Sequence, residues 1–252
     1  MNTSSSANIN YQHDFAFGDF TPTLKMGGYT EYRTREYNTR LFIYSWKNGL
    51  PSNYRVMNVP DELMQDKNYG EDKLYLLEQV DWRNNYEGNN MLGAGYAGVN
   101  LPFGKWNIYA GVRFEHSRME LISNTQKNEK SPTSVYYTYD DFFPSLNAAY
   151  RLNEQHQFRL SYGRTVNRPE FREVSSSVYY DFDLASNVQG NYDLKAAYID
   201  NIDLGYEYYP SNGELISVSL FYKKFKNPIE WTYTVAGGTD LILFLYQCQR
   251  SR

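Results

Sequence analysis

Apolar and polar residues alternate along most of this chain, and the alternation comes in pairs of segments joined by short turns and separated by long polar stretches. The clearest copy is Trp106 to Ser117. Trp106, Ile108, Ala110, Val112 and Phe114 share one parity; Asn107, Tyr109, Gly111, Arg113, Glu115 and Ser117 share the other. A strand points successive side chains to opposite faces, so this segment has an apolar wall and a polar wall. About eight such segments are expected, with short and long connections in turn, which is how a transmembrane β-barrel is threaded.

The first strand is expected from about Ser6 to Phe17, and Gly18-Asp19 makes a tight turn. A second runs from Phe20, with Leu24, Met26, Thr30 and Tyr32 on one face and Thr23, Lys25, Glu31, Arg33 and Arg35 on the other; its pattern continues to Trp46, as one very long strand. Lys47 to Tyr86 reads as a polar loop, with a short helix after Pro60 capped by Asp61 and a second short element between Gly70 and Val80. Strands follow at Gly88–Leu101, from Trp106, up to Leu152, around Phe158–Tyr162, around Ile202–Tyr208 and around Ile216–Tyr222, with further loops at about Asn124–Ser134 and Asn167–Ala197. Every short turn then falls at one rim, the periplasmic one, and every long loop at the outer rim. Aromatic residues flank the short turns (Phe17, Phe20, Phe103, Trp106, Phe158, Tyr208, Tyr209), as an interfacial girdle requires.

Composition narrows the reading. No apolar stretch reaches the length of a transmembrane helix, and a mean hydropathy of -0.68 excludes a helical membrane protein but not a barrel, whose lumen and loops are polar. A net charge of -4 gives no electrostatic footprint for nucleic acid. One cysteine, Cys248, excludes an internal disulfide and a thiolate metal site. Met1–Ser6 lacks the basic and apolar regions of a secretory signal, although a barrel has to be exported, so a fragment of a larger protein is expected.

Several segments resemble the barrel of TonB-dependent outer-membrane receptors. They are Gly111-Val-Arg-Phe-Glu-His-Ser117, Phe143-Pro-Ser-Leu-Asn147, Phe158-Arg-Leu-Ser-Tyr-Gly-Arg164, Asn167-Arg-Pro-Glu-Phe171, Asp200-Asn-Ile-Asp-Leu-Gly-Tyr-Glu207 and Phe221-Tyr-Lys-Lys-Phe-Lys-Asn-Pro-Ile-Glu230, in family order. The resemblance implies a barrel of about 22 strands around a plug, importing scarce nutrients with energy relayed by TonB. The expected fold is therefore all-β, a partial antiparallel transmembrane barrel over residues 1–240. Neither the plug nor the family's C-terminal strand is found, and residues 241–252 lose the family character, as a frameshift or truncation produces. The implied partners are outer-membrane lipid, a plug, TonB and a small nutrient of siderophore, vitamin or glycan type. The alternative is a small closed outer-membrane barrel with a structural or adhesive role.

Arg113, Glu115, Asn147, Arg151, Arg159, Asn201, Asp203, Glu207 and Lys223 fall on the non-lipid parity and are the lumen-facing candidates. On the lipid side, Arg or Lys costs about 2–4 kcal/mol at the midplane. Trp82, Tyr86, Tyr179, Tyr180 and Tyr192 are the loop residues that offer rings to a ligand. No catalytic set, cofactor or metal site is expected. Gly93-Ala-Gly-Tyr-Ala-Gly98 has dinucleotide-loop spacing, but Val99-Asn-Leu-Pro102 cannot continue a helix after it, so it reads as a glycine-bearing strand. His13, His116 and His156 are scattered. Asp140 and Asp141 face opposite ways and cannot flank one glycosidic bond, so they read as carboxylates at a loop end. The basic clusters at Arg33/Arg35 and Lys223–Lys226 read as lumen or loop charges, with contact to anionic lipopolysaccharide as the alternative.

Overall fold

A computed structural model describes residues 1–47, 64–70, 72–181, 183–236 and 240–248. Its body is one antiparallel sheet of eight strands: β1 (Asn2–Asp14), β2 (Thr23–Tyr37), β5 (Tyr86–Phe103), β6 (Trp106–Asn124), β7 (Pro132–Arg151), β8 (His156–Asn167), β11 (Ala197–Tyr208) and β12 (Ile216–Lys226), paired in that order. Among the described residues β1 and β12 do not pair, so the sheet is an open wall rather than a closed barrel. That does not favour the small closed barrel.

Short and long connections alternate as the hydrophobic pattern predicts. The β5–β6 turn has only Gly104 and Lys105 between the paired Phe103 and Trp106; Gly104 takes a φ of 58°, which an L side chain resists. At this rim Trp106 packs on Tyr150 with ring centroids 4.6 Å apart, and Phe158 on Tyr206 at 5.1 Å. At the other rim β6 and β7 run on together as far as Asn124↔Pro132, well beyond the 9–11 residues that cross a bilayer.

Two expectations change. The long strand from Phe20 to Trp46 breaks after Tyr37. Tyr37 pairs with Tyr86, the first residue of β5, so no partner continues, and the chain leaves to form a separate hairpin of β3 (Leu41–Trp46) with β4 (Leu74–Gln79). Asp140 and Asp141, expected at a loop end, lie inside β7. The helix start at Asp61 lies outside the described residues.

The loop between β8 and β11 is also structured. It holds β9 (Val178–Asp181) and β10 (Ser186–Gln189), which join β13 (Ile229–Ala236) and β14 (Asp240–Gln247) in a second sheet of order β13-β14-β10-β9. Thus the segment after Asp240 supplies a strand, parallel to β10. Gln247 fastens it: its Nε2 donates to the carbonyls of Lys195 and Asn227 at 2.7 and 3.0 Å, and its Oε1 accepts from the Lys195 amide.

The core lies where this loop meets the upper sheet. Tyr86, Met119, Leu121 and Tyr137 from the wall pack with Phe171, Val174, Leu194 and Leu245 from the loop and β14. Burying each such side chain contributes about 1.5–3 kcal/mol.

Candidate functional site

Residues directly opposite in an antiparallel pair share a face, so register carries face identity across the sheet. Met119 and Leu121 define the face covered by the inward-folded loop. By register that face carries Asn90, Ala94 and Tyr96 on β5, Asp141, Phe143 and Asn147 on β7, Arg159 on β8, Asn201, Asp203 and Glu207 on β11, and Lys223 on β12. The other face carries Val112, Phe114, Phe142, Leu146, Leu160, Leu204 and Leu220, all exposed; Phe142 and Leu220 are 64% and 66% accessible. An uncovered apolar face of that extent marks contact with a partner or a membrane.

All nine polar candidates thus share the covered face, but only some touch. Arg113 Nε donates to Glu115 Oε1 at 2.6 Å, and Arg159 Nε to Glu207 Oε1 at 2.8 Å. Asn201 Nδ2 donates to the Gly163 carbonyl at 3.1 Å, with Lys223 directly opposite it in register. Arg151 and Arg159 border an open hollow of about 600 Å³ near the short turns. Asn147 and Asp203 are exposed.

The strongest polar cluster centres on a residue that sequence reasoning did not single out, Arg168. Its Nη1 donates to Glu115 Oε2 at 2.7 Å and its Nη2 to Asp141 Oδ2 at 2.9 Å. Side-chain accessibilities of 18%, 12% and 11% make this a largely covered bridge across two strands. The guanidinium lies 5.8 Å from the Tyr139 ring centre and 5.9 Å from that of Phe143. Burial alone would lower its pKa, but the hydrogen bonds and charges of the two carboxylates raise it overall. Tyr198 donates to Asp141 Oδ1 at 2.6 Å.

Local sequence explains the reach of Arg168. Pairing of β7 with β8 stops at Ser145↔Gly163; the next residue, Pro144, brings no N–H to a ladder. Above that point β7 and β8 are no longer paired, and Arg168 and Tyr198 cross to Asp141. Pro169 then fixes the backbone as the chain turns onto the wall, and Phe171 settles on Gly88. A Cβ at Gly88 would run into the Phe171 ring, so glycine is what admits it.

Below Pro169–Phe171 the covered face holds a cleft of about 310 Å³, bordered by Arg33, Arg35, Asn90, Ser117, Arg168 and Glu170 among others. The aromatic candidates are not gathered around it. Tyr86 is buried against Tyr37, 5.1 Å between centroids; Trp82 lies under Lys130 at 4.7 Å; Tyr179 lies under Arg172 at 4.3 Å. Tyr180 and Tyr192 are exposed, and the Tyr192 carbonyl accepts from Tyr137 at 2.7 Å. Gly93–Gly98 lies within β5, as a strand. Among the described residues, no group of three or more His, Cys, Asp or Glu side chains could hold a metal.

An up-and-down antiparallel sheet, apolar outside, polar on its covered face and tall at one rim, belongs to the outer-membrane barrel class. The chain belongs to the TonB dependent receptor-like, beta-barrel family, whose model matches residues 1–250. Among solved structures it is similar to the ferric-catecholate import receptor Fiu from K12 E. coli (15% identity, TM-score 0.59, 98% of this chain and 33% of that one). It is also similar to the ferric citrate transporter FecA (14%, 0.59, 95% and 30%) and the siderophore receptor PiuA from Acinetobacter baumannii (10%, 0.53, 96% and 34%). The chain therefore spans about a third of the length of these receptors, and at such identities the likeness is one of fold. No curated protein matches the chain.

Proposed function

We propose that this chain forms part of the wall of an outer-membrane receptor that imports a small nutrient. In this reading the exposed apolar face meets lipid, and the covered face, with its nine polar candidates, lines the lumen. A plug domain occupies the hollow near the short turns, TonB supplies energy through that plug, and the long loops capture the nutrient. The chain binds and admits; it does not catalyse. The observation that carries the reading is the segregation along β6 and its neighbours: Val112, Phe142 and Leu220 uncovered, Arg113 and Glu115 turned to the other side. The solved neighbours of the same fold are titled as ferric-catecholate, ferric citrate and siderophore proteins, which supports a nutrient of that kind. Trp82, Tyr86, Tyr179, Tyr180 and Tyr192 stay in this proposal as loop contacts, those now packed inward requiring loop movement to reach a ligand. The division near Asp240 is a proposal about the gene, and an intact reading frame through Arg252 at the locus would remove it.

The test compares two neighbouring substitutions in the receptor. Val112→Arg places a charge against lipid, costing about 2–4 kcal/mol near the midplane, and is expected to abolish membrane assembly. Arg113→Gln keeps a polar group in the lumen and is expected to assemble. Equal assembly of the two refutes the face assignment.

A further inference from the structure

We propose that the turn Trp82–Asn84 is a latch holding three segments of the tall rim as one lid: the chain entering β5, the tip of the β6–β7 hairpin and the loop between β8 and β11. The inference goes beyond the receptor reading, because it concerns how the outer loops move and holds whatever the nutrient is.

A single 3₁₀ turn cannot pair its terminal N–H and C=O groups within itself, and here other segments take them. The Trp82 N–H donates to the Lys127 carbonyl at 3.0 Å, and the Trp82 carbonyl accepts from Asn124 Nδ2 at 3.1 Å. Both partners belong to the β6–β7 tip. On the other side, the Arg83 carbonyl accepts from Ser176 Oγ at 3.3 Å, and Asn84 Oδ1 accepts from the Val178 N–H at 2.9 Å. The Ser176 hydroxyl lies 3.2 Å from the Asn124 carbonyl as well, so its one proton is shared between the latch and the tip. Asn85 Oδ1 accepts from the Thr39 N–H at 2.8 Å, where the chain has left β2. The turn also holds its own shape: Asp81 accepts from the Arg83 N–H at 3.1 Å and takes the Arg83 guanidinium with both oxygens, at 3.0 and 2.7 Å.

Residues 39, 124–127 and 176–178 are distant in sequence and meet at this turn. Because one stiff turn carries these bonds and Ser176 shares its proton, movement of the tip strips the loop of a partner, and the reverse also holds. The bonds therefore open as a set. Trp82 and Tyr179, two of the rings offered to a ligand, are both covered in the latched state, by Lys130 at 4.7 Å and by Arg172 at 4.3 Å. Tyr179 directly follows Val178, the residue that Asn84 holds. Release of the latch loosens both rings together, and a ligand that grips either one shifts the equilibrium for the other.

Hydrogen exchange resolved to single amides tests this on the receptor that carries this chain, assembled by cells in their own outer membrane. Exchange of a protected amide follows its open population. Asn84→Ala removes a bond to the β8–β11 loop, yet it should speed exchange of the Trp82 amide, which the tip holds, about 5-fold. Asn124→Ala removes a bond from the tip, yet it should speed exchange of the Val178 amide by a similar factor. In one shared opening the two factors multiply, so the double variant should reach about 25-fold at the Thr39 amide, which neither substitution touches. Ser211→Ala, in a short turn at the other rim, should change none of the three. Amides in the middle of β6 should stay protected in every variant, which shows the wall intact. Faster exchange confined to residues that lost a bond, or an unchanged Thr39 amide in the double variant, overturns the latch and leaves the receptor reading standing.

Discussion

Arg168 joins β6, β7 and the inward-folded loop, so its removal should release the loop rather than unfold the wall. In Arg168→Met, Glu115 and Asp141 lose the guanidinium that bridges them at 2.7 and 2.9 Å. Breaking a buried ion pair from one side costs about 3–5 kcal/mol. Each carboxylate keeps one partner here, Arg113 for Glu115 and Tyr198 for Asp141, which reduces the expected cost to about 2–3 kcal/mol. Set against local opening of residues 168–196, that is about a 30- to 160-fold rise in the open population. Limited trypsin digestion reads it, because Arg172 and Lys195 lie in the loop and cleavage follows the open population when reclosure is fast. Arg168→Lys should recover little, since an ammonium does not reproduce the two-armed bridge. Adding Glu115→Gln and Asp141→Asn to Arg168→Met should slow cleavage again by removing the stranded charges. Cleavage within about 3-fold of wild type in Arg168→Met, a change far below the cost assigned to a broken buried pair, would refute the bridging role.

The same loop carries further tests. Gly88→Ala drives a methyl into the Phe171 ring and should raise cleavage at Arg172 as Arg168→Met does, while the β-sheet circular dichroism stays unchanged. Leu121→Ala empties a fully buried site at the loop–wall junction and should lower the thermal midpoint through a loss of about 2–5 kcal/mol. Burial raises the Glu173 pKa against the opposing hydrogen bond from the Glu170 amide, so its contribution to loop docking is full below the ordinary carboxylate range and fades as pH rises through the raised value; Glu173→Gln should flatten protease protection across that window.

The wall was legible because a period of two is local: Trp106–Phe114 declares its faces without knowledge of its partners. What the period does not encode is where pairing ends. Alternation continues from Tyr37 through Trp46, yet β2 stops because β5 has no residue left to pair with it. The ionic cluster was half legible. Parity put Arg113 and Glu115 on one face and separated Asp140 from Asp141, which the structure places beside His116 and Arg168 respectively. Arg168 itself lies past the last ladder position, where no periodicity applies, and it meets Glu115 across 53 residues of sequence. Its one local signal is the following Pro169, which fixes the chain as it leaves the strand. The aromatic loop candidates rested on residue type alone, and type does not distinguish a ring packed inward, as Tyr86 is, from one left open, as Tyr192 is.

The central claim, that β6 divides lipid from lumen, is tested most directly by cysteine scanning from Trp106 to Ser117 in a Cys248→Ser background. Each single-cysteine chain carries a small fluorophore and is reconstituted in vesicles. Quenching by brominated acyl chains is predicted at Ile108, Ala110, Val112 and Phe114, and quenching by aqueous iodide at Gly111, Arg113, Glu115 and Ser117. Quenching that ignores parity, or falls on the odd positions from the lipid side, would contradict the account.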